Sequence, residues 1–198
     1  MPYMTDHRHK FTDLKFHLEN QDRLRRQANG GNSILFSYPP DEEQQYIEKA
    51  KRLYIDRAEF ISVGKLLIQF IDKKGWESFQ EYYNDFKNTP HLIFRSTDLF
   101  DLIIDDIKKA CRNDKIPFLI KTGCLFGTGI ENVNIMENKA VVNLPHPLVI
   151  FYPSKSVREN LHCSIWKESV KHYRVSATRP GPSPLLRKNS MMSSTMPM

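Results

Sequence analysis

A chain of 198 residues with 40% hydrophobic, 26% charged and 11% aromatic residues has the length and composition of one folded domain with short ends, which excludes disorder throughout. Its longest apolar runs, such as residues 147–152, are strand-sized and far short of the roughly 20 residues a membrane-spanning helix needs. The formal charge of +6 is concentrated at one end: from Lys171 onward the chain carries Lys171, Arg174, Arg179, Arg187 and Lys188 and no acid, so the body is near neutral and lacks the uniformly basic face of a nucleic-acid binder.

The first residues mix charge and polarity without the apolar segment of a secretion signal, which gives a cytoplasmic expectation. Cys111, Cys124 and Cys163 are odd in number and form no CxxC pair, as expected of reduced thiols. In residues 11–27, Phe11, Leu14, Leu18 and Leu24 recur at near-helical spacing, and Gly30, Gly31 and Asn32 end the pattern. Arg23, Arg25 and Arg26 cluster at the solvent-facing end of this helix. Residues 1–32 thus read as an amphipathic helix with a linker.

Ser33-Ile-Leu-Phe-Ser-Tyr38, between glycines and Pro39-Pro40, is a continuous apolar run of the kind found in buried parallel strands. Pro40, Asp41, Glu42 and Glu43 supply the fixed φ and negative first turn of a helix, whose inner stripe is Tyr46, Ile47, Ala50, Leu53 and Tyr54. Residues 58–63 form a second strand, and residues 64–72 a helix with Leu66, Leu67, Phe70 and Ile71 inward. Trp76, Phe79, Tyr82, Tyr83 and Phe86 follow at helical spacing as a core stripe. Ser96 or Thr97 caps a long helix lined by Leu99, Ile103, Ile104 and Ile107. Residues 116–120 and 147–152 are the third and fourth strands, with a helix over residues 131–140 between them. A last strand is expected around residues 173–175, and residues 177–198 form a disordered basic tail rich in Pro, Ser and Met.

Strands alternating with helices predict an α/β domain over residues 33–176: a mainly parallel sheet of four to five strands with helices on both faces, a Rossmann-like three-layer sandwich. Ligands in such sheets gather at the carboxyl ends of the strands. There lies the loop Gly123-Cys-Leu-Phe-Gly-Thr-Gly129, with Gly123, Gly127, Thr128 and Gly129 as candidate ligand-binding residues, since glycines permit close backbone approach to a phosphate. It departs from a P-loop, because Ile130 and Glu131 stand where Lys and Ser or Thr are needed. Its glycines also lack the dinucleotide-binding spacing, so a tight packing turn is the other reading of the same residues.

Cys124 stands beside a helix start, which lowers a thiol's pKa, with His146 and His162 as candidate partner histidines, and a small buried apolar residue is the other reading of it. The seven histidines form no HxxxH or HExxH arrangement, and the acids are placed as first-turn or outward charges. No catalytic residue, metal site or cofactor is expected. Arg23, Arg25, Arg26, Arg187 and Lys188 are the candidates for nucleic-acid contact.

The order of four segments resembles the BrxB family of the BREX bacteriophage-exclusion systems: Phe36-Ser-Tyr-Pro-Pro-Asp-Glu-Glu43, Ile61-Ser-Val-Gly-Lys-Leu-Leu-Ile-Gln-Phe70, Ile120-Lys-Thr-Gly-Cys-Leu125 and Leu148-Val-Ile-Phe-Tyr-Pro153. The resemblance spans roughly residues 10–176. It implies a non-catalytic scaffold or adaptor in an anti-phage complex, beside a PglZ-like protein, an ATPase and a DNA methyltransferase, with DNA reached through those partners. The chain departs from the family pattern after Pro153, where Ser154-Lys-Ser-Val-Arg-Glu-Asn-Leu161 replaces a glycine-containing stretch, and in its Met- and Ser-rich tail.

Overall fold

The computed structural model describes residues 7–28, 31–86, 88, 98–154 and 164–165. Strands β1 (Ser33–Tyr38), β2 (Ala58–Ser62), β3 (Ile116–Ile120) and β4 (Leu148–Pro153) form a parallel sheet in the order β2-β3-β4-β1. A two-residue strand, β5 (Ser164–Ile165), pairs antiparallel with β1 at the edge. This is the α/β architecture that the alternating pattern predicts. All of β3 and the first four residues of β4 are buried, which explains why both read as unbroken apolar runs. Pro117, which pairs with Glu59 of β2, fits within β3 because Ile116 N donates toward β2, to the Arg57 carbonyl, so the nitrogen of Pro117 faces the β4 side, where pairing begins one position later, at Phe118↔Val149.

Successive strand side chains point to opposite faces and divide the core in two. On one face lie α1 (His7–Glu19), α2 (Gln21–Gln27) and α3 (Glu43–Leu53), whose Phe11, Leu14, Leu24, Tyr46 and Ile47 pack with Phe36, Phe118 and Phe151. The Phe36 and Phe151 rings meet with centroids 4.8 Å apart. On the other face lie α4 (Val63–Lys74), α5 (Trp76–Phe86), α6 (Asp98–Arg112), α7 (Asn132–Met136) and α8 (Lys139–Val142). Here Val63, Leu66, Phe70, Leu99, Ile103 and Ile107 pack with Ile61, Leu119 and Ile150. The crossover after β1 therefore runs on one face, and those after β2 and β3 on the other. That reversal opens the carboxyl edge beside β1 as the topological switch point.

Several elements differ locally from the sequence pattern. The N-terminal helix breaks at Asn20, whose Nδ2 and N both donate to the Phe16 carbonyl, at 2.7 and 3.1 Å. The helix expected over residues 131–140 is two short ones, because Asn138 Oδ1 accepts from Ala140 N and caps a new start. The aromatic stripe of α5 is only partly core: Phe79 is buried and Phe86 half-buried, whereas Trp76, Tyr82 and Tyr83 are exposed. Leu53 is also exposed, the inward place at the end of α3 falling to Tyr54. The capping residues Ser96 and Thr97, the strand around 173–175 and the tail lie outside the described residues.

Candidate functional site

The switch point is roofed by a polar link. Tyr38, at the end of β1, donates its hydroxyl to Glu43 Oε1 at 2.8 Å, and Lys121, just past β3, donates its ammonium to Glu43 Oε2 at 2.6 Å. Glu43 begins α3 and so stands above the end of β4, which lies between β1 and β3. Burial, together with the hydrogen bond to Glu43 and its charge, pushes the Tyr38 hydroxyl well above its usual range, so Tyr38 stays a neutral donor. Lys10 donates to the Ser37 carbonyl at 3.0 Å, and burial lowers its pKa against the opposing pull of Glu42. Lys121 has φ 60° and ψ 36°, the left-handed region that disfavours a residue with a Cβ. Thr122 then donates to the Phe151 carbonyl at 2.5 Å and ties the turn to β4.

The glycine loop folds inward upon itself. The amides of Cys124, Phe126 and Thr128 donate to the carbonyls of Lys121, Gly123 and Leu125 respectively. The Thr128 hydroxyl is buried; it donates to the Leu125 carbonyl at 2.7 Å and accepts from Ile130 N at 3.1 Å. Gly127 and Gly129, with φ of 80° and 78°, supply the left-handed positions that let the chain double back. The helix that follows has five residues and Glu131 as its N-cap, which places a carboxylate where a phosphate cradle would receive an anion. Of the four candidate residues, Gly123, Gly127 and Gly129 are exposed and Thr128 is not.

This tight winding presents one side chain outward. Phe126 is 96% exposed at the tip of the loop. Beside it, Cys124 is exposed, and a Cβ added to Gly64 would lie 3.4 Å from its sulfur, so the thiol rests on the first turn of α4.

The three arginines of α2 are exposed, and each makes a contact with the chain. Arg25 donates to the Leu144 carbonyl at 3.0 Å, Arg26 to the Asp22 carbonyl at 3.2 Å, and Arg23 lies 5.3 Å from the Phe16 ring centroid. Arg187 and Lys188 lie outside the described residues.

His146 does not approach Cys124. It pairs with Asp114 at 2.8 Å at the amino ends of β3 and β4, separated from Cys124 by the length of a five-residue strand, on the order of 15 Å. Cys111, near that pair, is buried, and burial pushes its thiol up despite a hydrogen bond with the His146 backbone. His162 and Cys163 lie outside the described residues. Among the described residues, no group of three or more His, Cys, Asp or Glu side chains is placed to hold a metal ion.

The Glu43 bridge and the exposure of Phe126 carry no signal in the sequence. The first joins residues 78 apart, and an apolar side chain flanked by Leu125 reads as core. Among the described residues, no helix is long and apolar enough to cross a membrane. Comparison with protein-family models, with curated proteins and with solved structures finds no match.

Proposed function

We propose that this chain is a non-catalytic adaptor that binds a partner protein through the loop of residues 121–130, with Phe126 as its anchor. The observation that carries this reading is the 96% exposure of a phenylalanine on a loop whose amides and threonine hydroxyl are bonded internally. A rigid, exposed aromatic has little conformational entropy left to lose on binding, and aromatic anchors of this kind supply much of the free energy of protein interfaces. The inward-turned polar groups of the loop and the carboxylate at the start of α7 favour protein contact over phosphate binding.

The resemblance of its segment order to the BrxB family supports the reading that the adaptor works in a cytoplasmic phage-exclusion complex, with a PglZ-like protein, an ATPase or a DNA methyltransferase as its partner. Co-elution on size exclusion at micromolar concentration tests this. A complex with one of the three that is lost with Phe126→Ala supports the reading, and separate elution from all three contradicts it.

A further inference from the structure

Each of the four parallel strands is entered from a helix that ends at the amino edge of the sheet, and each of those approaches carries cations. α2, before β1, ends in Arg25 and Arg26, and α3, before β2, ends in Lys51 and Arg52 with Arg57 in the turn beyond. α6, before β3, ends in Lys109 and Arg112 with Lys115 beyond, and the short α8, before β4, carries Lys139. All nine are exposed except Lys115, which is half-buried. The same four segments, residues 25–32, 51–57, 109–115 and 139–147, hold two acids, Asp56 and Asp114, and Asp114 faces His146. None of the nine cations pairs with a carboxylate among the described residues.

Hydrogen bonds stitch the four approaches side by side in the order of the strands. Arg25 and Asn32, ahead of β1, donate to the Leu144 carbonyl, ahead of β4, at 3.0 and 2.8 Å. His146, in that same approach, meets Asp114 ahead of β3 at 2.8 Å. Lys115 then donates to the Asp56 carbonyl, and Ile116 N to the Arg57 carbonyl at 2.8 Å, ahead of β2. The cations therefore stand in a row three strand spacings long, about 14 Å before side-chain reach is added.

Nine cations and two acids leave seven net positive charges at this edge, in a chain whose body is near neutral. The carboxyl edge has the opposite balance, with Asp41, Glu42, Glu43 and Glu131 against Lys65 and Lys121. Cations in a last turn complement the helix carboxyl end, and four such ends, at about half a negative charge each, offset roughly two of the seven. About five remain to set the field at this edge. Counting charge along the chain misses them, because they come from four separate segments that only the fold brings together.

We infer that the amino edge of the sheet binds nucleic acid through its phosphodiester backbone. A row of cations matches a linear polyanion, whereas a lipid surface presents its charge in two dimensions. At one phosphate per about 3.4 Å of strand, the row spans about four phosphates. Turns and helix carboxyl ends supply no element that enters a groove, so the contact is made to phosphates and is independent of base sequence. The edge lies the length of a five-residue strand, about 17 Å, from the Phe126 loop, which leaves that loop free for a partner protein.

The probe is a fluorescein-labelled duplex of about 20 base pairs, titrated with the full chain and read by anisotropy between about 50 and 200 mM salt. Binding is expected with a slope of log affinity against log salt of about −4, alike for two duplexes of unrelated sequence. Arg52→Gln/Arg57→Gln/Arg112→Gln should weaken it at least about tenfold at the lowest salt and reduce the slope by about three, with the melting temperature unchanged. Arg57→Gln alone, the smallest disturbance of the fold, should reduce the slope by about one. Phe126→Ala should leave affinity and slope unaltered, and the edge substitutions should act equally in a chain carrying Arg174→Gln/Arg179→Gln/Arg187→Gln/Lys188→Gln.

No binding at the lowest salt, or an unaltered slope in the edge variants, overturns the inference. Binding abolished by the four terminal substitutions alone overturns it in favour of the chain's own basic end. Tighter capture of phosphatidylserine vesicles than of the duplex, lost when the exposed Ile55 beside Arg57 is changed by Ile55→Ser, would overturn it in favour of a lipid surface.

Discussion

Lys121 and Glu43 stand 78 residues apart in the chain, yet the lysine ammonium reaches the glutamate at 2.6 Å over the carboxyl end of β4, from a backbone held at φ 60°. The strain and the ion pair occur in the same residue, so two substitutions separate them. Lys121→Ala loses the pair and keeps the strain, whereas Lys121→Gly loses the pair and relieves it. Glycine should therefore be the more stable of the two by about 1 kcal/mol, after allowing for its freer unfolded chain. The pair itself is partly exposed and contributes no more than about 1 kcal/mol. Urea unfolding of both variants decides this, and equal midpoints would show that the backbone is unstrained.

Arg25 is expected to behave as a structural tie. Arg25→Ala removes a hydrogen bond that fastens α2 to the Leu144 carbonyl, and should cost about 1 kcal/mol of stability. Arg23→Ala and Arg26→Ala, at exposed positions with local contacts, should stay within about 0.5 kcal/mol of the parent. If thermal melts ranked the three equally, the tie would carry no weight.

His17 gives the fold a sensitivity to acid. Its Nδ1 is buried without a hydrogen-bond partner, and burial lowers its pKa, outweighing the opposing pull of Asp13, with a still smaller push downward from Arg23. The unfolded chain then binds the proton more readily than the folded one. This contribution to stability is present above the usual histidine value near 6.5 and is lost as the pH falls below it. Between pH 7 and pH 5 the unfolding midpoint should drop, and His17→Gln should flatten that slope. An identical slope in the variant would assign the effect to other groups.

The glycine loop should respond as a packed turn. Thr128→Val removes a buried hydroxyl that both donates and accepts, and should cost about 1–3 kcal/mol. Gly127→Ala, with φ of 80°, should cost about 1 kcal/mol or more through strain alone. Melting in the presence of ATP, GTP or a dinucleotide should show no shift, whereas a ligand bound at a hundred times its dissociation constant would add roughly 2.7 kcal/mol.

Much of this architecture was legible in the sequence because it rests on local pattern. The unbroken apolar runs of β1, β3 and β4 gave buried parallel strands, and the 3.6-residue stripe of α6 gave a buried face. What escaped depended on tertiary placement. The stripe of α5 has the same period as a core helix, but too little neighbouring surface meets it, so Trp76 and Tyr83 stay in solvent. Lys121 showed no sign of a left-handed backbone, since that conformation is imposed by the turn that Thr122 and Glu43 fasten. Phe126, between Leu125 and Gly127, has the local sequence of a buried residue. Only the direction of the winding loop turns it outward.

The adaptor reading turns on that side chain. Calorimetric titration of a PglZ-like protein, an ATPase and a DNA methyltransferase of the kinds that the BrxB resemblance implies, each against the parent and Phe126→Ala, tests it most directly. Because Phe126 is 96% exposed, its truncation should leave the melting temperature unchanged while weakening binding to one of the three by about thirtyfold, the loss expected of an aromatic anchor. Equal affinities for parent and variant, or no binding to any of the three, would contradict it.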